Sequence, residues 1–338
     1  MDPFGLTIPL LLLFITFGFT VGVLFGFFGM GGAFLITPTL LILNYPAPVA
    51  IGSGLAFYFG TSVIAVMKHY DIGQVNYKLG AVLFIGLTLG IEAGRIVVFG
   101  LEELGIAQLV TSVGFVVLLA GIGMLFLKRA AAAEHEDGDS DGDEIPEVAR
   151  RIQSYRIPPM LSMTSGGRAS AWTISGVGGV VGVIAGMLGV GGGFLRMPAI
   201  YYVIGTPLAV AVGTSLFAGL FSGAFGTFTY GMAGSVDLVV VSTLLVGSAL
   251  GARIGSAATT VVDEDGVIVY FGYMMLIASV AIALSELSRW IGVSILEVVS
   301  VVLLVGSSFV VASLVLYRMA ASARGSRIAS VPRSTGDD

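Results

Sequence analysis

One glycine-rich stretch occurs twice in this chain and decides how it folds. It reads GVLFGFFGMGGAFLITP at residues 22–38 and GVIAGMLGVGGGFLRMP at residues 182–198, a constant offset of 160. Eight aligned positions carry the same glycine, phenylalanine, leucine or proline. After one inserted residue the offset becomes 161, and the similarity continues as far as Gly94 opposite Gly255. The sequence therefore predicts two homologous repeats.

The composition predicts a membrane protein. Of the 338 residues, 56% are hydrophobic and 11% are charged, against about 25% charged residues in an ordinary soluble domain. A membrane helix needs roughly 20 apolar residues. We predict an all-α, multi-pass protein of the cell membrane with about eight or nine full spans and two short half-helices. The long apolar segments are 6–28, 49–67, 79–99, 106–127, 172–188, 208–230, 238–262, 267–284 and 293–316, and the short ones are 33–45 and 194–204.

Each short segment follows a glycine cluster, which predicts a broken or re-entrant helix in each repeat. If both short segments complete a crossing, each repeat has five crossings and the second repeat is inverted. If they are fully re-entrant, each repeat has four crossings and the repeats are parallel. Inversion is favoured because it puts the basic membrane edges on the cytoplasmic side and the N-terminus outside. These edges contain Lys68, His69, Lys78, Lys128, Arg129, Arg150, Arg151, Arg318, Arg324 and Arg327.

The chain divides into five regions. Between residues 134 and 147 lie eight of the 21 acidic residues, in a stretch too polar to form a core. We expect this polar linker to be cytoplasmic and partly disordered, and no basic groove indicates nucleic-acid binding. The predicted regions are repeat one at 1–128, the linker at 129–171, repeat two at 172–288, an additional helix at 289–320 and a basic, then polar tail at 321–338.

The glycine clusters are the first candidates for a binding site. A half-helix that begins at such a cluster presents free N–H groups and the positive end of its dipole to an anion. Close packing of helices is the alternative, because small residues are common at membrane helix contacts. The candidate substrate-binding residues in these clusters are Gly29, Gly31, Gly32 and Pro38 in repeat one, and Gly189, Gly191, Gly192, Gly193 and Pro198 in repeat two.

Charged residues inside apolar segments are costly and therefore candidates for function. Arg196 is the best single candidate, and repeat one has Ile36 in its place. Arg253 is a second candidate, since a guanidinium offers a planar fork to an oxyanion. Glu92 could carry a coupling proton, with Arg95 beside it. The alternative is structural, with Glu92 neutralising Arg95 or Arg253.

Small hydroxyl residues complete the predicted site. Ser53, Thr214 and Ser215 fall near the start of the helix that follows each short segment. They could donate hydrogen bonds to the same anion. Helix capping or hydrogen bonds between helices explain them equally well.

These residues also carry a resemblance that spans nearly the whole chain. The G-x-GGG-x-x-x-x-P element, the G-T-S segment at 213–215 and the GARIG segment at 251–255 look like the sulfite exporter TauE/SafE family. Repeat one departs from the pattern, with Ala33 for the third glycine and Gly-Ser-Gly at 52–54. The resemblance implies export or uptake of small anions, such as sulfite, sulfonates, other organosulfur compounds or carboxylates.

The predicted function is secondary transport by alternating access, which is typical of inverted repeats with broken helices near the midplane. The expected partners are a small anion, the lipid bilayer and a coupling ion, either proton or sodium. We predict no cofactor, no metal site and no enzyme activity, because cysteine is absent, both histidines lie outside the apolar segments and no P-loop occurs. A non-transporting scaffold and a channel or carrier for another solute remain as alternatives.

Overall fold

The structure is a computed structural model that describes residues 8–28, 33–70, 76–133, 158–162, 168–206, 208–259, 262 and 265–329. Within these ranges the regular structure is helical except for one antiparallel pair of three-residue strands. In chain order the elements are α1 (Ile8–Phe28), α2 (Ala33–Ile42), α3 (Ala47–Tyr70), α4 (Tyr77–Glu103), α5 (Ala107–Ala133), β1 (Met160–Ser162), β2 (Arg168–Ser170), α6 (Ala171–Leu188), α7 (Gly193–Ala199, followed by a π-helical turn Ile200–Ile204), α8 (Leu208–Met232), α9 (Leu238–Ala258), α10 (Asp265–Ile291) and α11 (Ser294–Ala329).

Seven helices in the described part of the chain are long and apolar enough to cross a membrane: α1, α4, α5, α6, α9, α10 and α11. Helices α3 and α8 have 24 and 25 residues, which is about 36–38 Å at 1.5 Å per residue. Every long segment predicted from the sequence is thus a helix. The prediction of an all-α, multi-pass membrane protein is confirmed.

Two helix pairs pack through facing glycines. The glycines between residues 18 and 26 of α1 lie directly against the backbone of α9, and those of α9 between 247 and 255 lie against α1. Helices α4 and α6 form the matching pair, through glycines between 86 and 94 and between 178 and 186. Except at Gly179, a Cβ at these positions would overlap the neighbouring backbone, so the glycines allow the close helix contact. The GARIG segment therefore serves helix packing through Gly251 and Gly255.

The contacts also fix the relative directions of the helices. Glycines 18 to 26 of α1 meet successively later residues of α9, so these two helices are parallel, and α4 is parallel to α6 in the same way. Helices α3 and α8 are antiparallel, since Gly52 lies beside Tyr230 and Gly223 beside Tyr58. Helices α5 and α10 are antiparallel as well, because residues 116 and 123 of α5 meet residues 279 and 272 of α10.

Both short segments are helical, and each contains its proline in the interior of the helix. Helix α2 continues past Pro38 to Ile42. Helix α7 continues past Pro198 to Ala199 and then widens into the π-helical turn. Proline cannot donate to the carbonyl one turn earlier, and a local change in helical pitch absorbs that loss.

Helix ends and predicted region boundaries differ at two places. Helix α5 runs through an alanine run to Ala133, past the boundary at residue 128, because alanine favours helix. Helix α11 continues to Ala329, past residue 320. The β1–β2 pair in the linker was not foreseen. The acidic stretch 134–147 lies outside the described residues.

Candidate functional site

Arg196 lies on α7 and is the largest fully buried side chain in the described part of the chain, with 1% of its surface exposed. Its guanidinium meets hydroxyl groups from two other helices. Nη2 donates to the hydroxyl of Tyr58 on α3. Nη1 donates to Ser222 Oγ on α8 at 3.2 Å, and Nε makes a longer contact of 3.5 Å with Ser215 Oγ. The guanidinium carbon also lies 5.4 Å from the centre of the Tyr58 ring, within cation–π range.

The charge of Arg196 has no neutralising partner among the residues that the structure describes. The ion pairs in those residues join Arg95 to Glu92 and Arg289 to Glu286. Hydroxyl groups satisfy hydrogen bonds but carry no charge. A buried arginine without a carboxylate is costly, and a bound anion would remove that cost.

The Arg196 cluster lies halfway along the helices that build it. Tyr58 is the twelfth of the 24 residues of α3, and Gly219, which contacts the guanidinium, is the twelfth of the 25 residues of α8. Each end of either helix is therefore about 16–20 Å away at 1.5 Å per residue. For helices that span a bilayer, this places the cluster near the midplane.

Glycines make room for Tyr58 and Arg196. Gly191 has a φ of +66°, and a Cβ there would overlap the ring of Tyr58. On α8, a Cβ at Gly219 would overlap both the Tyr58 hydroxyl and Nη2 of Arg196, and one at Gly223 would press on the same ring. The glycines at these positions therefore hold a tyrosine and an arginine side by side in the interior.

Gly189 joins the two halves of the chain. It ends α6 in the left-handed conformation, with a φ of +67°, which glycine adopts without strain. Its carbonyl accepts a hydrogen bond from Thr37 Oγ1 of α2 at 3.2 Å, and it packs on the backbone of Ile51. Its observed contacts are packing contacts within the protein.

Two of the predicted hydroxyl residues cap other helices. Ser53 Oγ accepts the backbone N–H of Asp237 at 2.9 Å, just before α9. Thr214 Oγ1 accepts the N–H of Asn76 at 3.1 Å, just before α4. The two contacts are equivalent under the offset of 161. Of the three hydroxyls, Ser215 is the one that contacts Arg196.

The other charged candidates lie away from Arg196. Arg253 is exposed on α9. On α4, Arg95 pairs with Glu92 three residues before it, with nitrogen–oxygen distances of 2.5–3.2 Å. Arg95 also lines a surface depression of about 290 Å³ with Phe228 and Met232.

The other glycine and proline candidates surround the two short helices. Pro38 is buried within α2, and Gly192 precedes α7, which begins at Gly193. For Pro198 the structure describes the backbone. Gly29, Gly31 and Gly32 lie outside the described residues.

Sequence reasoning missed Tyr58, Ser222 and Gly219. The repeat alignment held a signal, since the offset of 161 places Tyr58 opposite Gly219. A large residue that aligns with a glycine in the other half of the chain indicates that its side chain fills the space beside that glycine. Ser222 gave no signal, because serine is common on membrane helices.

Comparison with known proteins identifies the family. The family model described as Sulfite exporter TauE/SafE matches residues 14–282. Among curated proteins, "Probable membrane transporter protein YjnA" of Bacillus subtilis (strain 168) is 28% identical over 256 residues, which covers 72% of this chain and 87% of the relative. A "Probable membrane transporter protein" of Xylella fastidiosa (strain 9a5c) is 26% identical over 257 residues, 75% of this chain and 87% of the relative.

The similarity extends to an archaeal protein. "Probable membrane transporter protein MJ0441" of Methanocaldococcus jannaschii is 27% identical over 220 residues, which covers 62% of this chain and 68% of that protein. No solved structure matches the chain. The family match covers most of the helical part of the molecule, from α1 into α10, and the related proteins are named as membrane transporters. This chain therefore belongs to the sulfite exporter TauE/SafE family of membrane transporters.

Proposed function

We propose that this protein is a secondary transporter of small anions, with sulfite, sulfonates or related organosulfur compounds as its substrates. The observation that carries the proposal is Arg196, a buried guanidinium bound to three hydroxyl groups and to no described carboxylate. An oxyanion provides the negative charge and a pair of oxygens on one central atom, which match two adjacent N–H groups of the guanidinium. Ser215 and Ser222 have hydroxyls in reach of the same ligand.

The proposed mechanism is alternating access between two inverted repeats. In it, α1 to α5 correspond to α6 to α10, and α11 is the additional helix. The helix directions support inversion, because the corresponding helices α3 and α8 are antiparallel, and so are α5 and α10. Parallel repeats would make both pairs parallel. The Arg196 cluster joins residues of both repeats near mid-membrane, where transporters of this plan bind substrate.

The same directions support the proposed orientation. Helices α3, α5 and α11 end on one side, which carries most of the basic edge residues, and the α8–α9 turn with Asp237 lies on the other. The positive-inside bias makes the basic side cytoplasmic. The N-terminus then lies outside, and the linker 129–171 lies in the cytoplasm.

Uptake by proteoliposomes tests the substrate class. Purified protein is reconstituted, and the flux of radiolabelled sulfite is compared with that of sulfate, methanesulfonate and acetate, with protein-free liposomes as control. A carrier gives saturable flux of one anion and accelerated exchange when that anion is also inside. If none of the four anions moves under a proton or a sodium gradient, the anion proposal is wrong, and a scaffold or a carrier for another solute takes its place.

We further propose that any proton coupling runs through Glu92. In the structure the Glu92 carboxylate pairs with Arg95 on the same helix and is partly exposed. A structural role and a coupling role would both act through this ion pair. The variant Glu92→Gln removes the titratable group and keeps the shape. Transport that no longer depends on pH in this variant supports coupling through Glu92. Unchanged pH dependence leaves the pair with a structural role.

A further inference from the structure

Tyr58 holds the position that a bound anion needs. Each nitrogen of the Arg196 guanidinium contacts one hydroxyl oxygen, and the one on Nη2 belongs to Tyr58. An oxyanion that binds in the plane of a guanidinium accepts from a pair of adjacent N–H groups. With Tyr58 in place and the guanidinium 1% exposed, the fork is closed to such a ligand.

The hydroxyl of Tyr58 can be displaced, because it is neutral. A charged acceptor forms a hydrogen bond roughly twice as strong as a neutral one. An arriving oxyanion therefore competes successfully for Nη2 and also neutralises the guanidinium. When the anion leaves, the phenol oxygen is the acceptor that prevents a buried N–H from remaining unpaired.

The surroundings of Tyr58 are built for this one side chain. Its ring lies between Gly191, which precedes α7, and Gly219 and Gly223 of α8. The residue that aligns with Tyr58 in the other half of the chain is Gly219 itself. The single tyrosine side chain therefore fills the space beside both positions. Tyr58 belongs to the first half of the chain and Arg196 to the second. Their contact therefore lies at the boundary between the two halves.

We infer that Tyr58 substitutes for the substrate in the empty transporter, closing the site on Arg196 when no anion is bound and moving aside when one arrives. The inference rests on the proposed anion transport. The inference has a kinetic consequence. In net transport the empty protein must switch between its outward-facing and inward-facing states, whereas exchange of anion for anion does not require this step. Tyr58 is thus a positioning residue for the empty protein and is not a ligand of the anion.

The variant Tyr58→Phe tests this inference, since it keeps the ring and removes one oxygen. Without the phenol oxygen, the empty protein leaves an N–H of a buried charge unpaired. A hydrogen bond to a charged group corresponds to a factor of about ten to one hundred. Net sulfite uptake should fall by about that factor, while sulfite–sulfite exchange stays within about twofold of the wild type. Sulfite binding to the purified protein, measured by calorimetry, should become tighter.

Tyr230→Phe is the matched control, because Tyr230 is equally buried and its hydroxyl donates to the Gly186 carbonyl at 2.7 Å. It loses a buried phenolic hydrogen bond without touching Arg196, so its ratio of net uptake to exchange should equal that of the wild type. If Tyr58→Phe weakens sulfite binding and lowers both fluxes together, Tyr58 binds the anion and the inference is wrong. Unchanged fluxes and binding also overturn it. Absence of flux in the wild type refutes the anion proposal itself.

Discussion

Replacement of Arg196 by methionine separates a functional arginine from a structural one. Methionine has a similar length and no charge, so Arg196→Met removes the guanidinium and leaves the hydroxyls of Tyr58, Ser215 and Ser222 in place. An oxyanion bound through two of its oxygens would lose two charge-assisted hydrogen bonds, each contributing about 1.5–3 kcal/mol. The loss of about 3–6 kcal/mol corresponds to a decrease in anion affinity of at least a hundredfold.

The effect of the same change on stability should be small or favourable. Arg196 is buried without a described carboxylate, and replacing a buried charge by an apolar side chain of similar volume is often neutral or stabilising. Of the three hydroxyls, Ser222 Oγ keeps its hydrogen bond to the Gly219 carbonyl at 3.3 Å. We therefore expect the thermal midpoint in detergent to stay the same or to rise, while transport is lost.

The assay pairs sulfite flux in proteoliposomes with thermal unfolding of the same preparations. Arg318→Met is the control, because Arg318 lies on α11, away from the cluster. Its guanidinium carbon is 6.0 Å from the centre of the Tyr270 ring. It should change neither quantity. If Arg196→Met transports sulfite at the wild-type rate, or if it unfolds at a much lower temperature with transport reduced only in proportion to the folded fraction, Arg196 is structural.

Three further predictions follow from the geometry. Gly219→Ala should lower transport at least tenfold in flux assays, because the added Cβ overlaps the guanidinium and the Tyr58 hydroxyl. This is expected although alanine favours a helix over glycine by about 1 kcal/mol. Normal flux would contradict the packing. Asp237→Ala should destabilise the protein by about 1 kcal/mol in thermal unfolding, because its carboxylate caps the first N–H groups of α9, and an unchanged midpoint would contradict this. The orientation can be tested by labelling, since the chain has no cysteine of its own. Ala233→Cys should react with an impermeant maleimide on intact cells, whereas Ala131→Cys should react only after lysis. The reverse pattern would overturn the orientation.

Most of the fold could be predicted from the sequence, because membrane helices reveal themselves by length and lack of charge. Each long apolar segment became a helix, and the glycine clusters correctly marked where the short helices begin. The extensions of α5 and α11 were missed because charged residues interrupt the apolar runs, Lys128 and Arg129 in α5 and Arg318 and Arg324 in α11. The widened turn after α7 was not foreseen, because no pattern in the sequence marks it.

The site was predictable in part. Arg196 was singled out as a candidate because a charge within an apolar segment is costly, and the structure shows that it is buried. Its partner Tyr58 lies 138 positions earlier in the sequence, and no local pattern connects the two. Arg253 and Arg196 both stood out in the sequence as charges within apolar segments, yet Arg253 is exposed and Arg196 is buried.

By itself the sequence determined that the chain crosses a membrane many times, that one glycine-rich stretch recurs at an offset of 160, and that very few charges enter the apolar segments, because these properties depend on composition and spacing alone. Tertiary structure decided which glycines serve contact between helices, which hydroxyls cap them and which reach Arg196. The physical reason is that these roles depend on which faces of distant helices meet. The antiparallel packing of α3 against α8 brings Tyr58 onto the Arg196 guanidinium. Which helices become neighbours depends on the packing of the whole bundle.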